Sequence, residues 1–152
     1  MNFNKSLIRT VTLVVAAALV QGCSTATHFE GITPGTTLSL DGHQNVALPT
    51  SIRLGSKATG QHLFKAVSAG DQKLYGLLPL HVNGSTIAGS ILFFAPALFI
   101  GGFRDTFPYY QMDPEAGVIR YKMKEGEEWR LSKPTTAESD RAKAFFDSKD
   151  TK

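Results

Sequence analysis

A mainly β (α+β) fold is what this sequence predicts, and three observations predict it. Apolar residues alternate with polar ones at period two through most of the middle of the chain, Asp-Gly and Asn-Gly turn signals separate the alternating runs, and one stretch near the C-terminal end has helical spacing. The architecture expected is a small antiparallel sheet or meander, with one apolar kinked helix or hairpin and a C-terminal amphipathic helix. A chain of 152 residues suits one domain of this kind.

Residues 1–22 stand apart from that fold. Lys5 and Arg9 make a basic start, residues 11–20 (VTLVVAAALV) form an apolar core of signal-peptide length, and Gly22 supplies a small residue at the end. The run is shorter than the roughly 20 apolar residues a transmembrane helix needs. Residues 23–35, which include STATHFEGITPG, are rich in Ser, Thr, Gly and Pro without periodicity, and read as a tether.

Residues 36–133 carry the β-pattern. TTLSL alternates Leu38 and Leu40, Asp41-Gly42 is a hairpin signal, and NVALPTSIRL offers Val46, Leu48, Ile52 and Leu54. Pro49 has no N–H for a ladder, so that strand is an edge or is interrupted there. HLFKAV and KLYGLLPLHV predict two further strands around the turn SAGDQ, with Asn83-Gly84 as the next turn. Beyond the apolar segment, GVIRYKM puts Ile119, Tyr121 and Met123 on one face, KEGEE turns, and WRLSK adds Trp129 and Leu131. In residues 134–152, Thr135 and Glu138 form a capping box after Pro134, and Ala142, Phe145 and Phe146 give a helical apolar stripe that docks on the domain.

Within the β-rich part, segment 86–103 breaks the pattern. Residues 87–103 are 17 in number with Ser90 the only polar one, and Pro96 falls near the middle. A helix of that length spans about 26 Å against a hydrocarbon core of about 30 Å. Ile87, Ile91, Phe94 and Leu98 would lie on one face and Leu92, Ala95 and Phe99 on another, so no polar stripe marks a surface helix. Pro96 and the short length favour a kinked helix or hairpin that packs on the sheet or rests against lipid over one that spans. The alternative is a transmembrane helix in an inner-membrane complex subunit.

Cys23 is the only cysteine, so it has no disulfide partner within the chain. LVQGC, residues 19–23, resembles the lipobox of bacterial lipoproteins through Val20, Gly22 and Cys23. The resemblance implies cleavage before Cys23 and acylation of its sulfur and of the new amino group. Membrane lipid is then a partner, because several acyl chains at about 0.8 kcal/mol per buried CH₂ hold almost permanently. In that family Ser24, in place of the Asp linked to inner-membrane retention, implies the outer membrane, facing the periplasm. Further on, LDG followed by ALPTSIRL resembles the PEGA-type β-domains of bacterial envelope proteins. GSILFFAPALFIGGFRDTFPYY is similar to the Gly-rich apolar segment of small lipoproteins through Gly89, Gly101, Gly102, Asp105 and Tyr109, which implies an envelope role.

Charge and motifs narrow the function classes. Removing Lys5 and Arg9 with the leader leaves fourteen basic against thirteen acidic residues, and no basic cluster is interleaved with aromatics, so nucleic-acid binding has no footprint. Gly84 and Gly89 have P-loop spacing, but Ser90 and Ile91 follow where Lys and Ser/Thr are required. No G-x-S-x-G elbow occurs. His28, His43, His62 and His81 lie too far apart in sequence for a local zinc motif. Residues 125–128 (EGEE) read as a solvated hairpin tip, and Asp113 and Glu115 around Pro114 as turn chemistry. The expectation is a non-enzymatic binding or structural module without a cofactor. Phe94, Phe99, Phe103, Tyr109 and Tyr110 are its candidate contacts to membrane or to an envelope or cell-wall partner. The rival is an envelope hydrolase or metal-dependent enzyme with His62, His81 and acidic residues assembled only in three dimensions.

Overall fold

The computed structural model describes residues 25–40, 42–84 and 102–150. The leader, Cys23, and segment 86–103 up to Gly101, with its expected kinked helix or hairpin, lie outside the described residues. The described residues form a mainly β structure with one C-terminal helix. One sheet has five strands in the order β11-β10-β9-β1-β4: β1 (Thr25–Gly31), β4 (Thr50–Leu54), β9 (Tyr109–Asp113), β10 (Val118–Lys122) and β11 (Arg130–Ser132). A second has four in the order β3-β2-β5-β6: β2 (Thr37–Leu40), β3 (His43–Ala47), β5 (Leu63–Val67) and β6 (Lys73–Leu77). A short ladder joins β7 (Leu80–Val82) to β8 (Arg104–Thr106), and α1 is Thr136–Asp150.

Both large sheets bury their inner faces in one core. The five-stranded sheet contributes Phe29, Ile52, Leu54, Tyr110, Met112 and Ile119; the other contributes Leu38, Leu40, Phe64, Ala66 and Leu74. These residues follow the pleat, in which side chains two apart share a face. Ile119 is fully buried and Tyr121 and Met123 pack against the same core, as their alternation predicts. Phe29 stacks on Tyr110, its register partner, at 5.3 Å between ring centroids.

Two expectations are corrected here. Residues 25–31, expected within the tether, form β1, a central strand that pairs antiparallel with β4 and parallel with β9. Thr27 and Phe29 are both 0% exposed on its inner face. Period two is present in THFEG, but with a single large apolar residue it is faint, and what orders the segment is the slot between two strands that would otherwise be open edges. Nor is the first half a meander. Pro49 does interrupt its strand, and the two halves part: β3 stays on the edge of the four-stranded sheet while β4 crosses to the other.

The helix starts where the capping box predicts. The Thr135 N–H donates to Glu138 Oε2 at 2.8 Å and the Glu138 N–H returns a bond to Thr135 Oγ1 at 3.3 Å, which satisfies donors that a helix start leaves open. Ala142 and Phe146 are buried, the Phe146 ring lies 6.5 Å from that of Tyr75, and Ser139 Oγ donates to the Tyr75 carbonyl. Tyr75 points away from the core side of β6, so α1 covers the outer face of the four-stranded sheet. Pro134 closes over Gly76, where an added Cβ would come within 2.7 Å of Pro134 and 2.9 Å of Phe64.

At one end of the sandwich, the stem of segment 86–103 is fastened to the loop after β4. The Phe103 and Arg104 N–H groups both donate to the Lys57 carbonyl, and the Asn83 N–H donates to the Phe103 carbonyl. Gly102, with φ of 76°, lies so close to this loop that a Cβ would meet the Ser56 and Lys57 backbone at 2.8–2.9 Å. Asp105 ties the knot: it accepts from Ser56 Oγ and from Asn83 Nδ2. The carboxylate is nearly buried and thus requires such partners.

Candidate functional site on the outer face of the five-stranded sheet

Residues one position out of phase with the core point to the other side of the sheet. In register across β4, β1, β9 and β10 they run Ser51, His28, Tyr109 and Lys122, and Trp129 follows just before β11. At about 4.8 Å between strands, five neighbouring strands place this row over about 19 Å. A second row, two residues along, holds Glu30 beside Gln111 and Gln111 beside Arg120. The rows border an open groove of about 550 Å³, to which Glu125 contributes from the β10–β11 turn.

One half of the groove is a polar chain. Gln111 Nε2 donates to Glu30 Oε2 at 2.9 Å, His28 Nε2 lies 3.3 Å from Glu30 Oε1, and His28 Nδ1 lies 3.2 Å from Ser51 Oγ. Each member thus orients the next. The other half is aromatic. The Lys122 ammonium sits 4.4 Å from the Trp129 ring centroid and 5.5 Å from that of Tyr109, within cation–π range, and also donates to the Glu125 carbonyl. His28 meets Tyr109 edge-on at 6.3 Å, which joins the halves. Paired hydrogen-bonding groups beside ring faces can bind and orient a ligand that is polar at its rim and apolar on its faces.

Tyr110 is the opposite case and corrects its expected role as a contact residue. It is 0% exposed, and the pleat that sends Tyr109 outward sends it into the core. Its hydroxyl donates to the Pro79 carbonyl at 2.5 Å and accepts from the Phe107 N–H at 3.0 Å. Burial pushes the phenol well above its ordinary value of 10.0, against the opposing pull of the Phe107 hydrogen bond. Phe103 is half-buried at the stem, and Phe94, Phe99 and the lipid-attachment candidate Cys23 lie outside the described residues.

The four histidines do not converge. His28 lines the groove, His43 is exposed on the edge strand β3, His62 is buried with Nε2 3.2 Å from the Gly55 carbonyl, and His81 packs its ring 5.2 Å from that of Phe107. Among the described residues no three His, Cys, Asp or Glu side chains come together as metal ligands. Asp113 accepts from the Ala116 N–H and faces Arg120 at 3.7 Å, the turn chemistry expected. No helix among the described residues is long and apolar enough to cross a membrane. Glu30, Gln111, Lys122 and Trp129 went unnoticed as a set in the sequence. Their signal was the polar or aromatic residue recurring at i and i+2 opposite each buried position, on the consecutive strands β9 and β10 and, far off in sequence, on β1.

A scan against protein-family models finds no match to this chain, and searches of curated proteins and of solved structures find none either.

Proposed function

We propose that this chain is a lipid-anchored protein of the bacterial cell envelope. It is a non-catalytic binding module on the outer membrane facing the periplasm, held through acylated Cys23. The observation that carries this reading is LVQGC followed at once by a central strand. Thr25 begins β1 two residues after Cys23, and two residues reach at most about 7 Å. The lipid would therefore hold the sheet itself at the bilayer, with no free linker, and His28 would stand only three residues further along β1.

The stem of the apolar segment supports the same orientation. Thr25 pairs with Leu54, and the loop just past Leu54 holds Phe103 and Arg104. The described residues that flank the run, Asn83 and Phe103, are therefore fastened at the same end of the sheet as Thr25. Mass spectrometry of the protein purified from membranes tests the reading. The expected result is an N-terminal peptide beginning at a triacylated Cys23, with Cys23→Ser unacylated; an unmodified thiol, or an uncleaved leader, in the wild-type protein would overturn it.

A further inference from the structure

We infer that the groove on the outer face of the five-stranded sheet binds a neutral oligosaccharide, an inference that rests on reading the domain as a binding module. Four properties of the site point to this class of ligand. Saccharide rings present hydroxyls at their edges, each both donor and acceptor, and C–H groups on their faces. Glu30 and Gln111 supply an acceptor and an amide side by side, fixed at 2.9 Å from one another and steadied by His28. Tyr109 and Trp129 line the groove in the same row of the sheet and supply the ring surface that the Lys122 ammonium, lying between them, leaves uncovered.

Charge argues in the same direction. Of the side chains that line the groove, two are carboxylates, Glu30 and Glu125, against one ammonium, Lys122, which is already shared between two rings and a carbonyl, while Arg120 in the second row faces Asp113. A phosphate or other anion would meet more negative than positive charge. Shape excludes two further classes. A small apolar ligand requires an enclosed, mainly apolar pocket, whereas this groove is open and bordered by polar side chains. An added peptide strand requires a sheet edge, whereas β1 and β9 at the groove floor have both edges paired. A groove running across neighbouring strands suits a chain of sugars.

Trp129 is the only tryptophan, so its fluorescence reports on the groove alone. The full protein, purified from membranes in a detergent without a sugar headgroup, is titrated with N,N′,N″-triacetylchitotriose, with maltotriose and with inorganic phosphate. The expected result is a saturable change in Trp129 emission with a trisaccharide and none with phosphate. A preference for the acetylated sugar marks a wall-type glycan as the source, and a preference for maltotriose marks a plain glucan. Glu30→Gln and Gln111→Ala, each shown by thermal unfolding to be folded, weaken the response about tenfold, the loss of one hydrogen bond to or beside a charged group. Lys143→Ala, on the exposed side of α1, leaves it unchanged. Silence with both sugars, a response to phosphate alone, or a response that survives both groove substitutions would overturn the proposal. Acylation is scored on the same preparation, which separates the two readings. Acylated Cys23 with a silent Trp129 sinks the sugar site alone, and a bare Cys23 thiol with an intact response sinks the anchor alone.

Discussion

Tyr109 and Tyr110 are adjacent in sequence and opposite in use. Tyr110 is sealed in the core, stacked on Phe29 and hydrogen-bonded at its hydroxyl, while Tyr109 lies in the groove between His28 and Lys122. The same contrast runs along β1, where Thr27 and Phe29 face inward and His28 and Glu30 face outward. One sheet thus has a face that holds the molecule together and a face that no other described element covers. The four-stranded sheet has no such free face at β5 and β6, because α1 lies over them.

Substitutions matched across the five-stranded sheet test that division. Phe29→Ala removes a fully buried ring from the middle of the core and is expected to cost about 3–5 kcal/mol in urea unfolding. Tyr109→Ala, one strand away on the other face, is expected to cost about 1 kcal/mol or less. Equal losses would break the distinction between the faces.

Tyr110→Phe keeps the ring and removes only the hydroxyl. The Pro79 carbonyl and the Phe107 N–H lose their partner in the interior, at an expected cost of about 1–3 kcal/mol. The variant also has a pH signature. The folded phenol holds its proton to higher pH than the unfolded one, so its contribution is complete below pH 10 and falls as pH rises beyond that ordinary value. Unfolding midpoints measured across the alkaline range should fall less steeply in Tyr110→Phe than in the wild type. An alkaline limb unchanged in the variant would show that Tyr110 is not the group responsible. Lys122→Met should have the smallest effect, about 0.5–1 kcal/mol for a partly exposed cation–π contact. It should still shift Trp129 emission, because the ammonium no longer covers the ring.

Much of the inner architecture was legible in the chain. Alternation at Leu38 and Leu40, at Ile52 and Leu54, and at Ile119, Tyr121 and Met123 identified strands and their buried sides, and Thr135 with Glu138 marked the helix start. Each of these signals is local, since a strand's period or a helix cap needs only a few neighbouring residues to be read. The strand β1 was not legible in this way, because its order comes from β4 and β9, residues far off in sequence that pair on either side of it.

The groove belongs to the same class of feature. His28, Tyr109, Lys122 and Trp129 come from four segments, and only the parallel pairing of β1 with β9 and the antiparallel pairing of β9 with β10 bring them into one row. By itself, the sequence determined the β-rich class, the terminal helix and the presence of a single cysteine, each resting on composition or short-range spacing. The tertiary structure alone decided which face of the sheet stays open and which side chains meet there, because register between distant strands is set by the packing of the shared core and leaves no trace in any one stretch of chain.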